Sequence, residues 1–414
     1  MKKVALLSLV LLYLSIGYSQ LQYTYEVAHV IDNTDASITV YVTNGSGVAN
    51  YTYTWYDNTL TPIGTNSSLL SGLSQGVYFL KVEDALDPDT NNYIYTYFWV
   101  GKYGEVTTLS VQPNGMFGND AVLRRIDKPG YGHVVNTNYG TYANLIPFYG
   151  TWSSLPNLGK GIIKFEYNGL SETTNSTTNL TLYGFHYRFI ASTNPSVHNN
   201  VLIKRIKNGV SWNEHTVTYN SFYTNNTSVN VESTPVAEIS SQGAVGSTVT
   251  AQYIKTVDIS NIVEDQINQT HENNGMFYEL KHNDKYRSQY FYGSDYVDDA
   301  NKRPKLSITF TLPELITTFS PVRKQLDGSY VQVSADKQLR FIYEEEYTDQ
   351  NLQLDYTVYD AKNIPVAFTE NLIASYGSNK RVLDVNSLGS NGEIYTLEIK
   401  NDRGEKWYLK FRTP

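Results

Sequence analysis

Basic and aromatic side chains suited to holding a sugar gather in the middle of the chain. Along residues 180–189 a strand-like alternation puts His186 and Arg188 on one face and Phe185, Tyr187 and Phe189 on the other. Along residues 201–207 the same period separates Lys204 from Arg205 and Lys207. Lys281, Lys285, Arg287, Tyr290 and Tyr292 make a third basic and aromatic group. Polysaccharide recognition needs aromatic faces that stack on sugar rings and polar groups that pair with hydroxyls and carboxylates. The expected ligand-binding set is His186, Arg188, Lys204, Lys285, Arg287 and Tyr290. Any one of them alone reads as the solvated outer face of a sheet; their concentration in one stretch is what points to binding.

Other chemistry is sparsely represented. Asp87, Asp89 and Asn91 place oxygen ligands at alternate positions, as calcium loops do, so calcium is the one cofactor expected here. The glycine and glutamate that complete an EF-hand are replaced by Asn92 and Phe98, and a solvated turn accounts for the same residues. Asp295, Asp298 and Asp299 form a second acidic loop. Residues 72–76 match the G-x-S-x-G pattern, but a turn precedes them and a strand follows, the reverse of the strand-to-helix setting that motif needs. His271-Glu272 lacks the second histidine of a zinc-protease helix. With no cysteine, thiol nucleophiles, disulfides and thiolate metal sites are excluded. No catalytic residues are expected, and the chain reads as a binding protein, not an enzyme. A polysaccharide-active enzyme is the weakest of the alternatives.

The elements that must position these residues are strands. A length of 414 residues exceeds one ordinary core and suggests two or three domains. Thirty-six tyrosines suit exposed sheets, since tyrosine joins strand propensity to a polar tip on an apolar body. Residues 1–19 read as a cleaved secretory leader: Lys2-Lys3, an apolar run over 4–16 and the small residues Gly17 and Ser19. The expected location is therefore secreted, extracellular or on the outer cell surface, with no integral membrane segment once the leader is gone. The net charge of −8 becomes about −10 without the leader's two lysines, and no long basic run opposes it, so nucleic acid is not an expected partner. An acidic glycan remains compatible with an acidic chain, because exposed charges are screened beyond about 8 Å in physiological salt.

Taken in order, residues 20–100 carry strand patterns at 38–42, 51–56, 77–82 and 93–100 with turns between them, the signature of a small sandwich. Residues 101–118 are rich in Gly and Pro and read as a linker with one short strand at 106–111. Residues 119–311 hold the longest strand patterns, interrupted by apolar residues at Ile259, Ile262, Val263 and Ile267 whose spacing predicts a helix capped by Ser260 or Asp258. Residues 312–414 carry strand patterns at 330–333, 339–343, 354–359, 395–399 and 407–411. The fold class expected is all-β, as tandem antiparallel β-sandwiches: Ig-like, jelly-roll-like, then Ig/fibronectin-like.

Three resemblances fit this division. The central stretch, with Asp120-Ala121-Val122-Leu123-Arg124, Ile162-Ile163-Lys164-Phe165, Trp212-Asn213-Glu214 and Arg303-Pro304-Lys305-Leu306, resembles the DNRLRE domain, a β-sandwich related to alginate-binding modules. That resemblance implies a polysaccharide or cell-surface glycan as partner, with Trp212 in a structural place near the sandwich rim. The first unit, through Tyr51 to Trp55, Leu73 to Tyr78 and Val82 to Asp84, resembles the SprB-type repeats of adhesins in gliding bacteria. The last, through Tyr359-Asp360, Leu383 to Leu388 and Lys406 to Arg412, resembles a type IX secretion sorting domain, which implies outer-membrane secretion machinery as a further partner. The combined expectation is a non-catalytic surface protein that binds a polysaccharide. The alternative is a structural adhesin that contacts proteins without glycan specificity.

Overall fold

Short runs that alternate apolar and polar residues form most of the strands, because each lies in a sheet with one face on a core. The computed structural model describes residues 20–413 apart from 32–34, 47–49, 87–92, 172, 186–198, 224–229, 241–251, 283–285, 314–319, 327, 334–336, 346–351, 375–376 and 389–391. Across the described residues the chain is all-β, in three successive two-sheet sandwiches. No helix among them is long and apolar enough to cross a membrane.

The first sandwich contains β1 (Gln22–Ala28), β2 (Ala36–Thr43), β3 (Tyr51–Tyr56), β4 (Pro62–Ile63), β5 (Leu69–Leu73), β6 (Gly76–Asp84) and β7 (Tyr93–Val100). One sheet has the order β1-β2-β5 and the other β4-β3-β6-β7. On β2, Ala36, Ile38, Val40 and Val42 point inward to a core shared with Trp55, Leu80 and Phe98. β7 departs from simple alternation and is buried on both faces. Ile94, Phe98 and Val100 serve the first core, while Tyr97 and Trp99 enter the core of the next sandwich.

That second sandwich comprises β8 (Val106–Val111), β9 (Asn119–Ile126), β10 (Asn144–Leu145), β11 (Phe148–Trp152), β12 (Leu155–Lys164), β13 (Thr174–Phe185), β14 (Val201–Ile206), β15 (Val231–Ile239), β16 (Gln252–Asp258), β17 (Met276–Leu280), β18 (Arg287–Ser288), β19 (Tyr290–Tyr292) and β20 (Lys305–Thr311). One sheet runs β10-β19-β13-β20-β8, with β16 also on β13; the other runs β15-β14-β17-β12-β11-β18, with β9 also on β12. Leu306, Ile308 and Phe310 from the first of these sheets meet Ile163, Ile203 and Met276 from the second. The strand expected at 106–111 is present, and it pairs along its whole length with β20. Part of the stretch read as a linker therefore belongs to the central sandwich.

Two short helices, α1 (Tyr219–Phe222) and α2 (Ser260–Ile267), pack against these sheets. α2 lies where the change of period placed a helix, with Ile262, Val263 and Ile267 buried. The expected cap is not formed: the N-cap residue is Ile259, with no side-chain cap, and Ser260 is the first helical residue, its N–H and hydroxyl donating to the Asp258 carboxylate just outside the helix.

The third sandwich holds β21 (Ser320–Pro321), β22 (Val331–Gln332), β23 (Gln338–Glu345), β24 (Leu352–Tyr359), β25 (Pro365–Ala374), β26 (Gly377–Asp384), β27 (Ile394–Asn401) and β28 (Lys406–Arg412). Its sheets are β21-β23-β26 and β22-β28-β27-β24-β25, around Phe341, Leu354, Leu397 and Phe411. Two edge contacts, β21 with β23 and β22 with β28, are parallel, which local patterning cannot foretell.

Candidate functional site

A cleft of about 610 Å³ opens where the chain crosses from one central sheet to the other. β18 belongs to one sheet and β19, one residue later, to the other, so Arg287 and Tyr290 stand at the mouth between the layers. β9 contributes Val122 and Arg124, β11 contributes Phe148 to Trp152, β12 contributes Asn157, and β13 contributes Phe185. Arg124 is aligned with Gly159 on β12, where the absence of a side chain leaves room for the Phe148 ring.

Two arginines dominate the electrostatics. The Arg124 guanidinium lies 5.4 Å from the centre of the Tyr139 ring and 5.7 Å from that of Phe148. Arg287 is 6% exposed and donates one N–H to the Tyr286 carbonyl at 3.1 Å. The Nε of each arginine is buried without a hydrogen-bond partner, as is the Asn157 side-chain oxygen. Neither arginine has a carboxylate partner, and no Asp or Glu lines the cleft, among the described residues. A buried donor left unsatisfied costs about 1–3 kcal/mol, which a ligand acceptor would recover.

Aromatic rings complete the walls. Trp152, Tyr286 and Tyr142 are 42%, 52% and 40% exposed, so their ring faces are open to a ligand. Trp152 is held at the tip of the β11–β12 hairpin, where Ser153 and Ser154 both adopt positive φ, 51° and 67°, the hand of turn that suits strand twist. Tyr131 packs on it at 5.2 Å between ring centres, with the Lys128 ammonium over both rings. The Thr151 hydroxyl shares a 2.9 Å hydrogen bond with the Tyr286 hydroxyl, tying the hairpin tip to the segment that leads into the neighbouring strand β18.

Beside the cleft sits a cluster of carboxyl groups. Asp120, two residues before Val122 on β9, has carboxylate oxygen within 4.8 Å of those of Glu214 and Asp295. The Asp120 N–H donates to Glu214 at 3.1 Å, and the Ser294 N–H and hydroxyl both donate to Asp120. Burial pushes Asp120 above the usual carboxylate range, opposed by the Ser294 hydrogen bonds. Burial and then the charge of Asp120 push Glu214 up as well. Asp295 is also raised by burial, with His215 and Arg303 pulling the other way. Three acidic groups at this spacing must share protons or close on a hard cation, since like charges so near cannot all stand ionised and unpaired. The cluster ties the start of β9, the 213–216 turn and the segment after β19 together behind the cleft.

The expected binding residues fall in three places. Arg287 and Tyr290 line the cleft. Lys204 does not: alternation on β14 turns it to the outer face of its sheet, where it pairs with Glu279 at 2.7 Å. His186, Arg188 and Lys285 lie outside the described residues, as do Asp87, Asp89 and Asn91 of the expected calcium loop. Phe185, next to His186, reaches the cleft wall and packs on Tyr290 at 5.5 Å. Arg124, Trp152, Tyr286 and Asn157 are cleft residues that pattern reading passed over, because they come from separate strands and meet only in the fold. Trp212 takes a structural place, donating its indole N–H to the Asn274 carbonyl at 2.8 Å.

No family model matches the sequence. No curated protein sequence matches it either. Among solved structures, a Parabacteroides merdae β-glucuronidase with glycerol in its active site is similar at 13% identity and a TM-score of 0.16, over 75% of this chain and 36% of that one. Three N-terminal domains of the bacteriophage RB49 outer capsid protein Hoc give 8% identity and a TM-score of 0.17, over 96% of this chain and 99% of that one. The Bacillus cereus major pilin subunit BcpA gives 9% identity and a TM-score of 0.14, over 87% of this chain and 89% of that one. The chain thus spans between 35% and 45% of the length of the β-glucuronidases it matches. Likeness at these scores carries no argument about activity.

Proposed function

We propose that this protein binds an acidic polysaccharide, without cleaving it, in the cleft between the central sheets. The observation that carries the reading is the pairing of Arg124 with Arg287: two guanidinium groups with buried, unsatisfied N–H donors in a cleft with no lining carboxylate among the described residues. Arginine's planar fork suits carboxylate and sulfate groups, and its hydrogen bonds to them are among the stronger ones available to a protein. Trp152, Tyr286 and Tyr290 supply flat apolar faces beside those charges, and Asn144 and Asn157 supply amides for hydroxyls. The resemblance of residues 119–311 to alginate-binding modules points the same way, and the leader-like residues 1–19 fit display outside the cell, where such polymers occur.

A glycan array probed with the chain from residue 20 onward tests the reading. Retention on polyuronates such as alginate or pectin, with no retention on neutral glucans, is the expected pattern. Silence on all acidic glycans from a folded sample would reject it in favour of a structural adhesin.

A further inference from the structure

We propose that the groove on the outer face of the β14–β17–β12 sheet is a second binding site, taking an anionic, hydroxylated ring of the uronate class. This groove, of about 600 Å³, is lined by Lys160, Lys204, Lys207, Tyr223, Phe277 and Glu279 and by residues 231–234. β12 links the two sites: Asn157 faces the cleft and Lys160, three residues on and so on the opposite face, enters the groove.

The arrangement is that of a cationic hollow with a polar donor in its wall. Lys160 and Lys204 both reach Glu279, at 2.6 and 2.7 Å, so two ammonium groups share one carboxylate. Lys207 adds a third ammonium, exposed and without an acidic partner among the described residues. The other carboxylate in the wall, Glu232, is engaged by His271 at 3.3 Å. Lys160 also lies over the Tyr223 and Phe277 rings, at 5.5 and 5.2 Å from their centres, which holds it in place on an aromatic floor. Tyr223 is 5% exposed, and its hydroxyl is buried with no hydrogen-bond partner. A phenol in that state wants an acceptor, and a ring hydroxyl or carboxylate lodged between it and the lysines would provide one. Burial, then the charge of Glu279, hold this phenol above its usual ionisation range, so it remains a donor throughout the neutral range.

Calorimetric titration of the chain from residue 20 onward with tetragalacturonate tests the proposal. Two binding events are expected. Lys207→Glu should remove one and leave the other, and Arg287→Ala should do the reverse. Tyr223→Phe, which keeps the ring and deletes only an unpaired hydroxyl, should weaken the groove event about fivefold. A single event that is lost in Arg287→Ala and untouched by Lys207→Glu and Tyr223→Phe overturns the groove and leaves the cleft standing. A single event with the opposite sensitivities supports the groove and overturns the cleft. No binding overturns both.

Discussion

Trp99 of the first sandwich donates its indole N–H to the Glu166 carbonyl of the second, 2.8 Å away, and its backbone N–H to the Asn168 carbonyl at 2.9 Å. The Glu166 N–H in turn reaches the Tyr97 hydroxyl at 2.8 Å. Gly169, at φ 92°, lets the strands approach: a Cβ there would sit 2.5 Å from the Trp99 carbonyl oxygen. The two sandwiches therefore share a core and should unfold together. Trp99→Ala is expected to remove about 3–5 kcal/mol by leaving a cavity. Scanning calorimetry should show a single transition for the first two sandwiches, and separate transitions in the unmutated chain would contradict the shared core. A fragment of residues 120–310 alone, lacking β8 and this interface, should be poorly stable.

His29 lies in the same interface. It is 4% exposed, accepts a 3.2 Å hydrogen bond from the Gly101 N–H through Nδ1, and is lowered by burial to about 4, a hydrogen bond with the Gly169 backbone opposing the shift. A depressed histidine means that the unfolded chain binds the extra proton first. Its contribution is thus fully present above the unfolded value of 6.5 and lost as pH falls through the folded value near 4. Relative to His29→Gln, the unmutated chain should lose up to about 3 kcal/mol between those limits. Parallel denaturation curves for the two proteins across that range would refute the buried neutral imidazole.

The carboxyl cluster has the opposite sign. Asp120 and Glu214 are raised in the fold, so folding takes up protons, and their contribution is present at low pH and lost as pH rises through the folded values. Asp120→Asn should flatten the fall in stability between the ordinary carboxylate value of 3.8 and about pH 7, and Glu214→Gln the fall that continues from 4.5 towards about pH 10. Melting temperatures that rise with millimolar calcium and show no such pH trend would mean that these oxygens close on a cation instead of sharing protons.

Much of the framework was legible along the chain. The strand read at 51–56 matches β3, and the spacing of Ile259, Ile262, Val263 and Ile267 marks α2. Their inward residues, Tyr51 and Trp55 on β3 and Ile262, Val263 and Ile267 on α2, follow the local period of each element. β7 was visible as a strand, but its second role was not, since burial of both faces comes from a neighbouring sandwich about 70 residues further along at Glu166 and Asn168. The cleft was less legible still. Arg287 and Tyr290 came into view through their local company, whereas Arg124 reads as one half of a plain Arg-Arg pair until β12 sets Gly159 opposite it. Lys204 shows the converse: alternation set it on the face opposite Lys207, yet Lys207 lies just past the end of β14 and lines the same groove, and the Lys204 face looks away from Arg287.

The hairpin that presents Trp152 has its own test. Ser153 and Ser154 both occupy left-handed backbone, which Asn and Gly tolerate better. Replacing the pair by Asn-Gly should stabilise the protein by about 1 kcal/mol and leave ligand affinity unchanged, as the Trp152↔Leu155 pairing is preserved. Loss of stability in a chemical denaturation experiment would show that the turn is of another kind.

The most direct test of the account compares the affinity of the chain for an oligouronate with that for its methyl ester, in the unmutated protein and in Arg124→Ala/Arg287→Ala. The two guanidinium groups are expected to favour the free acid by at least about tenfold, corresponding to one charge-assisted hydrogen bond of about 1.5 kcal/mol, and the double variant should lose that preference. Equal affinity for acid and ester, or a preference that survives removal of both arginines, would contradict acidic-glycan binding in the inter-sheet cleft.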